Sequence, residues 1–500
     1  MPDSYLNHIN GQWVPAVTGQ TLDSLNPART DEVIGTIPRS SAEDVNRAVT
    51  AARSAFDRWR LTPAPIRGEI LYAAAEVFKL EKNRLGRLVT MEMGKVLSEG
   101  LGDAQEAIDM AYYMAGEGRR LSGETVHSEL RDKDMKSIRV PKGVFGLITP
   151  WNFPIAIPAW KICAALVCGN TVVFKPSSYT GVCATEFVRV LIEAGLPAGV
   201  LNLVHGTGPE VGTPLVDHPE VDAVSFTGSW AVGSQIEASL GRNHKEVATE
   251  MGGKNAIIVL NDADLDLAVE GAVWGGFGTT GQRCTAASRV VVQAGIHDQF
   301  VKAFKAKAAA LVLGDGLLPA TDVGPLAHRD QLEKVSRHVQ EGINEGATLA
   351  LGGKICREGA CAYGYFYTPT IFVDVQPRMT IAQEEIFGPV VSVIKVKDLG
   401  QAIEVVNGVR YGLSSAIYTR DVNAAATAER DLDTGLVYIN ASTIGAEIHL
   451  PFGGTKATGL GPREAGGRGG ALDHYTKWKV IYRDFSGKLQ KAQIDTQKPT

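Results

Sequence analysis

The chain has 500 residues, 44% hydrophobic and 21% charged, an ordinary globular composition that excludes disordered and fibrous classes. Such a length exceeds what one core fills and suits two or three domains. With 50 lysines and arginines against 55 acids, a net charge of −5 and no basic cluster, nucleic acid is not an expected partner.

The N-terminal stretch reads as short strands and turns. A capping box is expected at Ser40 and Glu43, followed by Val45, Ala48, Val49, Ala52, Phe56 and Trp59 at helical spacing. Helices are expected to about Leu121, with a break at Thr62-Pro63-Ala64-Pro65. From Gly143 short apolar runs alternate with helical segments: Val144–Ile148, Thr171–Phe174, Val200–Val204, Val221–Phe226 and Ala256–Leu260. Runs apolar on both faces are what buried parallel strands require, so a doubly wound α/β sheet is expected. A second series follows: Arg289–Val292, Thr348–Leu351, Phe366–Phe372, Val390–Val396, Ser415–Tyr418 and Gly435–Asn440, giving a second α/β domain. Glu124–Pro141 and Tyr475–Arg483 fit neither series. As alternating strands they pair with each other, pair across a subunit boundary, or edge the main sheet.

No apolar run reaches membrane-spanning length, and Met1-Pro2-Asp3-Ser4 does not read as a secretion signal. Six cysteines are too sparse for a disulfide framework, so a cytoplasmic protein with no membrane contact is expected.

Several segments carry chemistry. Gly206-Thr207-Gly208-Pro209-Glu210-Val211-Gly212 misses the dinucleotide fingerprint by one residue, and its proline removes an amide, so a structural turn is the better reading. Phe226-Thr227-Gly228-Ser229 opens a helix carrying Gly233 on its first turn, where free amides and the helix dipole suit phosphate. Lys175 ends an apolar strand, where open sheets bind ligands; a solvated lysine is the alternative. Cys284 lies in a small-residue stretch beside Arg283, whose charge is expected to favour the thiolate. Glu250, among apolar residues and glycines, suits a general base if buried. Asn152, between Trp151 and Phe153, offers an amide donor to an oxyanion. No zinc or calcium ligand spacing occurs, so no metal is expected.

Seven motifs together resemble the aldehyde dehydrogenase superfamily in order and spacing, over about residues 5–482. They are Thr149-Pro150-Trp151-Asn152-Phe153-Pro154, Phe174-Lys175-Pro176-Ser177, Phe226-Thr227-Gly228-Ser229, Glu250-Met251-Gly252-Gly253-Lys254, Gly281-Gln282-Arg283-Cys284, Glu384-Glu385-Ile386-Phe387-Gly388-Pro389 and Pro451-Phe452-Gly453-Gly454. The resemblance implies a cofactor domain (residues 1–123 and 142–253), a catalytic domain (254–452), oligomerisation strands (124–141 and 470–485) and a tail (486–500). It implies oxidation of a small aldehyde with NAD or NADP by a homodimer or homotetramer. Cys284 would be the nucleophile, Asn152 and the Cys284 amide the oxyanion hole, Glu250 the base for water, and Lys161 with Glu464 a proton relay. Lys175 would hold a ribose, Ser229 the pyrophosphate and Glu385 the nicotinamide ribose, with Trp151 and Phe387 placing the ring. Ile148, Ser178, Gly208, Phe226, Gly228 and Gly233 complete the implied cofactor site. Phe153, Trp160, Arg283, Thr285, Ile444 and Phe452 would line the substrate tunnel.

Glu250 favours thioester hydrolysis over acyl transfer to coenzyme A, since acylating relatives typically lack this residue. The sequence looks closest to α-ketoglutarate semialdehyde dehydrogenases, with a broad-specificity aliphatic or aromatic aldehyde enzyme as the alternative. A thiol esterase and a non-catalytic scaffold are the readings from other classes. Where many NAD-preferring relatives carry a glutamate, this chain has Ser178, so NADP is expected to be tolerated or preferred.

Overall fold

The structure, a computed structural model, describes residues 3–494. Three helices, Ala42–Trp59, Ala64–Met93 and Leu97–Glu117, precede the central strands; the first packs on the first sheet, and the other two pack on each other and on Ala156–Val167. The first is capped by Ser41, with Asp44 closing the box, one residue later than Ser40 and Glu43. Ser40 is instead buried and accepts from Asn7 Nδ2 at 2.8 Å. A serine pair leaves this choice to tertiary context. The Thr62–Pro65 break falls between the first two helices. The second stops at Gly94, whose φ of 96° forms a left-handed cap.

An eight-stranded sheet has five parallel central strands in the order Glu246–Glu250, Ala223–Thr227, Val144–Ile148, Thr171–Lys175, Leu201–Leu203. Short antiparallel strands flank them, Gly459–Leu460 on one side, Asn7–Ile9 and Gln12–Val14 on the other. The second sheet runs Thr348–Leu351, Thr370–Val373, Val390–Val396, Arg289–Gln293, Ala256–Val259, Ser414–Tyr418, Leu436–Ile439, parallel except at its first pair. Two assignments change. Ala256–Val259 belongs to the second sheet, not the first series. The first sheet instead gains Glu246–Glu250, whose terminal glutamates hide the apolar run that marks a buried strand.

The two orphan segments pair with each other. Thr476–Asp484 runs antiparallel to Lys133–Pro141, which pairs with Glu124–His127. The tail begins by folding back on this sheet: Phe485 N–H donates to Asp132 O and Gln490 Nε2 to Arg131 O. Phe485, Leu489 and Ile494 stay exposed, and residues 495–500 lie outside the described part. Among the described residues no helix is long and apolar enough to cross a membrane, and no group of three metal-ligating side chains occurs. All six cysteines are free.

Candidate active site

The segment leading to Cys284 is an unusual piece of backbone. Thr279, Thr280 and Gly281 take φ values of 51°, 58° and 67° in succession. Left-handed non-glycine residues cost about 1–3 kcal/mol each and persist only where surroundings over-determine them. Here they do. Thr279 N–H donates to Glu99 Oε1 at 2.7 Å, Thr280 Oγ1 to Gly324 O at 3.0 Å, and Asn255 Nδ2 to Cys284 O at 2.6 Å. A Cβ on Gly281 would stand 2.2 Å from Gly388 O, so only glycine fits.

Cys284 opens on a cavity of about 160 Å³ that also contains Trp151, Asn152, Glu250, Glu385 and Phe387. Burial, then the carboxyls of Glu385, Glu250 and Glu464, push its thiol up to about 12. The expected thiolate stabilisation by Arg283 is overturned. Its guanidinium turns away to Glu99 Oε1 (3.3 Å) and Thr279 Oγ1 (2.7 Å), between the rings of Phe153 and Trp274. Adjacency in sequence did not become adjacency of charge. Asn152 is buried and its Nδ2 donates to Gln282 O at 3.1 Å, which aims the amide at the nucleophile segment.

Glu250 ends the strand Glu246–Glu250, at the carboxyl edge where parallel sheets bind ligands. Burial, reinforced by Glu464, holds its carboxyl well above the usual range, and Oε2 has no hydrogen-bond partner among the described residues. Lys161 projects from Ala156–Val167, a helix buried on every side. Its ammonium contacts Glu464 and donates to Ser225 Oγ at 2.7 Å, while Thr227 Oγ1 donates to Glu464 at 3.0 Å. A buried charge tolerates such a place only when paired.

A second cavity also reaches Cys284 and shares Glu250 and Met251 with the first. Phe153, Trp160, Arg283, Thr285, Ile444 and Phe452 all line it. Sequence reasoning did not place Glu106, Thr227 or Met251 there; Glu106, on the helix Leu97–Glu117, lies in no motif.

The cofactor-side residues fall into two groups. Ile148, Lys175, Gly208 and Phe226 line a slot of about 290 Å³ beside the helix Trp230–Arg242. Burial pushes the Lys175 ammonium down to about 8, and its Nζ donates to Pro176 O. The turn at Gly208 is therefore also slot wall, and a Cβ there would meet open space. Gly228 and Ser229 border the Cys284 cavity instead, at a helix start with no side-chain cap. Gly233 lies behind, where a Cβ would stand 2.4 Å from Met251 Sδ. Ser178 is partly exposed at the start of the turn Ser178–Thr180, outside the slot lining. Glu385 is held by Gly253 N–H at 3.0 Å, and burial raises its pKa. Phe387 sits at φ 60°, fixed by Gln331 Nε2 donating to its carbonyl at 2.7 Å, with its ring edge-on to Trp151 at 5.4 Å. An uncapped helix start, a buried lysine and an open slot fit a dinucleotide. Gln331, Lys334 and His328 in this region carry no motif and escaped sequence reasoning.

Comparison with known proteins agrees with this geometry. The aldehyde dehydrogenase family model matches residues 13–481. An alpha-ketoglutaric semialdehyde dehydrogenase of Bacillus subtilis is 43% identical over 96% of this chain and 98% of its own length. An alpha-ketoglutarate semialdehyde dehydrogenase of Haloferax volcanii is 41% identical over 97% of this chain and all of its own. A betaine aldehyde dehydrogenase of Staphylococcus aureus, crystallised with NAD+, superposes with a TM-score of 0.94 at 36% identity, covering 97% of each chain. This chain therefore belongs to the aldehyde dehydrogenase family and is an NAD(P)-dependent oxidoreductase acting on aldehydes.

Proposed function

We propose that the substrate is a semialdehyde bearing a distal carboxylate, of the α-ketoglutarate semialdehyde kind, oxidised to the acid through a thiohemiacetal and a thioester on Cys284. The observation that carries this reading is Arg283 in the wall of the tunnel that ends at Cys284, in a chain whose full-length relatives include such enzymes.

The cofactor, when bound, accepts the hydride released from the substrate carbon. Every other part falls to the chain. Cys284 adds to the aldehyde carbon as the thiolate, its proton having passed to water, and Asn152 Nδ2 with the Cys284 amide stabilises the oxyanion. Trp151, Phe387 and Glu385 would fix the nicotinamide end, while Lys175 and Ser229 would hold ribose and phosphate. Glu250 takes a proton from the water that hydrolyses the thioester, and Glu464 with Lys161 carries it outward. Arg283 supplies positive charge at the far wall, although Glu99 holds one edge of its guanidinium.

Replacing Arg283 with leucine tests the substrate. Glutarate semialdehyde should lose about ten- to a hundredfold in kcat/KM relative to pentanal, the range of a lost charge-assisted contact. Comparing two substrates on one variant cancels the damage done by orphaning Glu99. Equal losses would remove the clamp.

The cofactor reading rests on Ser178, which brings no negative charge near Lys175. The Ser178→Glu variant should shift the kcat/KM ratio toward NAD by about tenfold or more, because the carboxylate repels a 2′-phosphate. An unchanged ratio would mean that Ser178 does not discriminate.

Assembly follows from the small sheet. Trp478, Val480 and Tyr482 form an exposed apolar row on Thr476–Asp484, a face suited to burial against a second copy. Light scattering at micromolar concentration should read a dimer or a tetramer, and a monomer mass would contradict it.

A further inference from the structure

The tunnel wall contains one acid that the mechanism leaves unused. Glu106 stands on Leu97–Glu117, one turn beyond Asp103, and borders the cavity with Arg283 and Cys284. Its charged neighbours are already committed. Lys95 pairs with Asp103 at 2.9 Å and stacks over Phe153 at 3.7 Å, and Arg283 pairs with Glu99. Two cations thus face two acids, and Glu106 is a third acid with no ion pair among the described residues. The same cavity is also lined by Glu250 and Glu464, the latter held by Lys161. An ionised Glu106 would therefore give the tunnel surplus negative charge where a carboxylate-bearing substrate must pass.

We propose that Glu106 is a specificity-determining residue that meets the distal carboxylate as a neutral carboxylic acid, donating a hydrogen bond while Arg283 supplies the positive charge. The inference rests on the semialdehyde reading above and deepens it. A protonated carboxyl carries one O–H donor, whereas its anion only accepts, so protonation converts a repulsion into a contact. The surroundings hold Glu106 in that form. Burial and the neighbouring Asp103 push its pKa up to about 8, outweighing the opposing pull of Arg283, Lys95 and Trp160. The direction of the pH effect follows. Below about 8 the acid is neutral and the carboxylate substrate is accepted; above it the anion repels that substrate and leaves a neutral aldehyde unaffected.

The test is the ratio of kcat/KM for glutarate semialdehyde to that for pentanal, measured across the interval around pH 8 with saturating cofactor. Taking a ratio removes the titrations of Cys284 and Glu250, which both substrates share. In the native enzyme the ratio should exceed one and fall about tenfold as pH rises, with the change in KM for the acid. Glu106→Gln, neutral at every pH and still a donor, should hold the ratio level. Glu106→Leu, which lacks the donor, should lower it about tenfold at neutral pH and also leave it flat. Melting curves on both variants check that the fold is retained. A native ratio above one that is insensitive to pH, or a fall that persists in Glu106→Gln, would overturn the role of Glu106 and leave the semialdehyde reading standing. A native enzyme that prefers pentanal or betaine aldehyde would overturn both, since an anionic Glu106 would then be serving a neutral or cationic substrate.

Discussion

Replacing Cys284 with serine is expected to reduce aldehyde oxidation by about four orders of magnitude or more, roughly 5 kcal/mol of transition-state stabilisation. The hydroxyl is a far weaker nucleophile than the thiolate, and its much higher intrinsic pKa keeps it protonated. Binding of the cofactor should survive, because the slot around Lys175 and Gly208 does not include Cys284. Titrating the variant with NAD and NADP by fluorescence, beside a steady-state assay, separates the two quantities. Turnover near the native rate would mean that another group attacks the aldehyde.

The second large effect belongs to Glu250. Glutamine keeps the shape of the side chain but cannot take a proton, so acylation should proceed once and hydrolysis should stall. A rapid-mixing experiment on Glu250→Gln should give a burst of about one reduced cofactor per site, followed by a steady rate lower by about two to four orders of magnitude. The pH dependence has a definite sign. Burial and Glu464 raise the Glu250 pKa, so the acid form dominates at low pH and hydrolysis grows as pH rises through the folded-state value. That limb should vanish in the glutamine variant. A burst-free trace with native steady turnover would remove Glu250 from the deacylation step.

The positions of many of these residues are legible in the sequence. The motif residues around Cys284, Glu250, Asn152, Lys175 and Glu385 lie at strand ends and in tight loops, and such places require particular residue types. Gly281 is one: its left-handed φ and the 2.2 Å approach to Gly388 O exclude a side chain. What failed was whatever depends on the direction of a side chain. Arg283 adjoins Cys284 in sequence, yet the left-handed run before it sends the guanidinium to Glu99, so three carboxyls set the thiol's electrostatics instead. Glu106 lies in no motif; only the packing of Leu97–Glu117 against Ala156–Val167 brings it to the tunnel. The strand Glu246–Glu250 was hidden because its last residue is a buried charge, the kind of local inconsistency that marks function.

On this mechanism the substrate carbon is carried covalently on Cys284 and released by water that Glu250 activates. Intact-protein and peptide mass spectrometry of Glu250→Gln, mixed with glutarate semialdehyde and NADP and quenched in acid, tests it most directly. One acyl group per chain is expected, on the peptide containing Cys284, labile to hydroxylamine and absent when the cofactor is left out. An adduct on a different residue, or none while reduced cofactor accumulates, would contradict it.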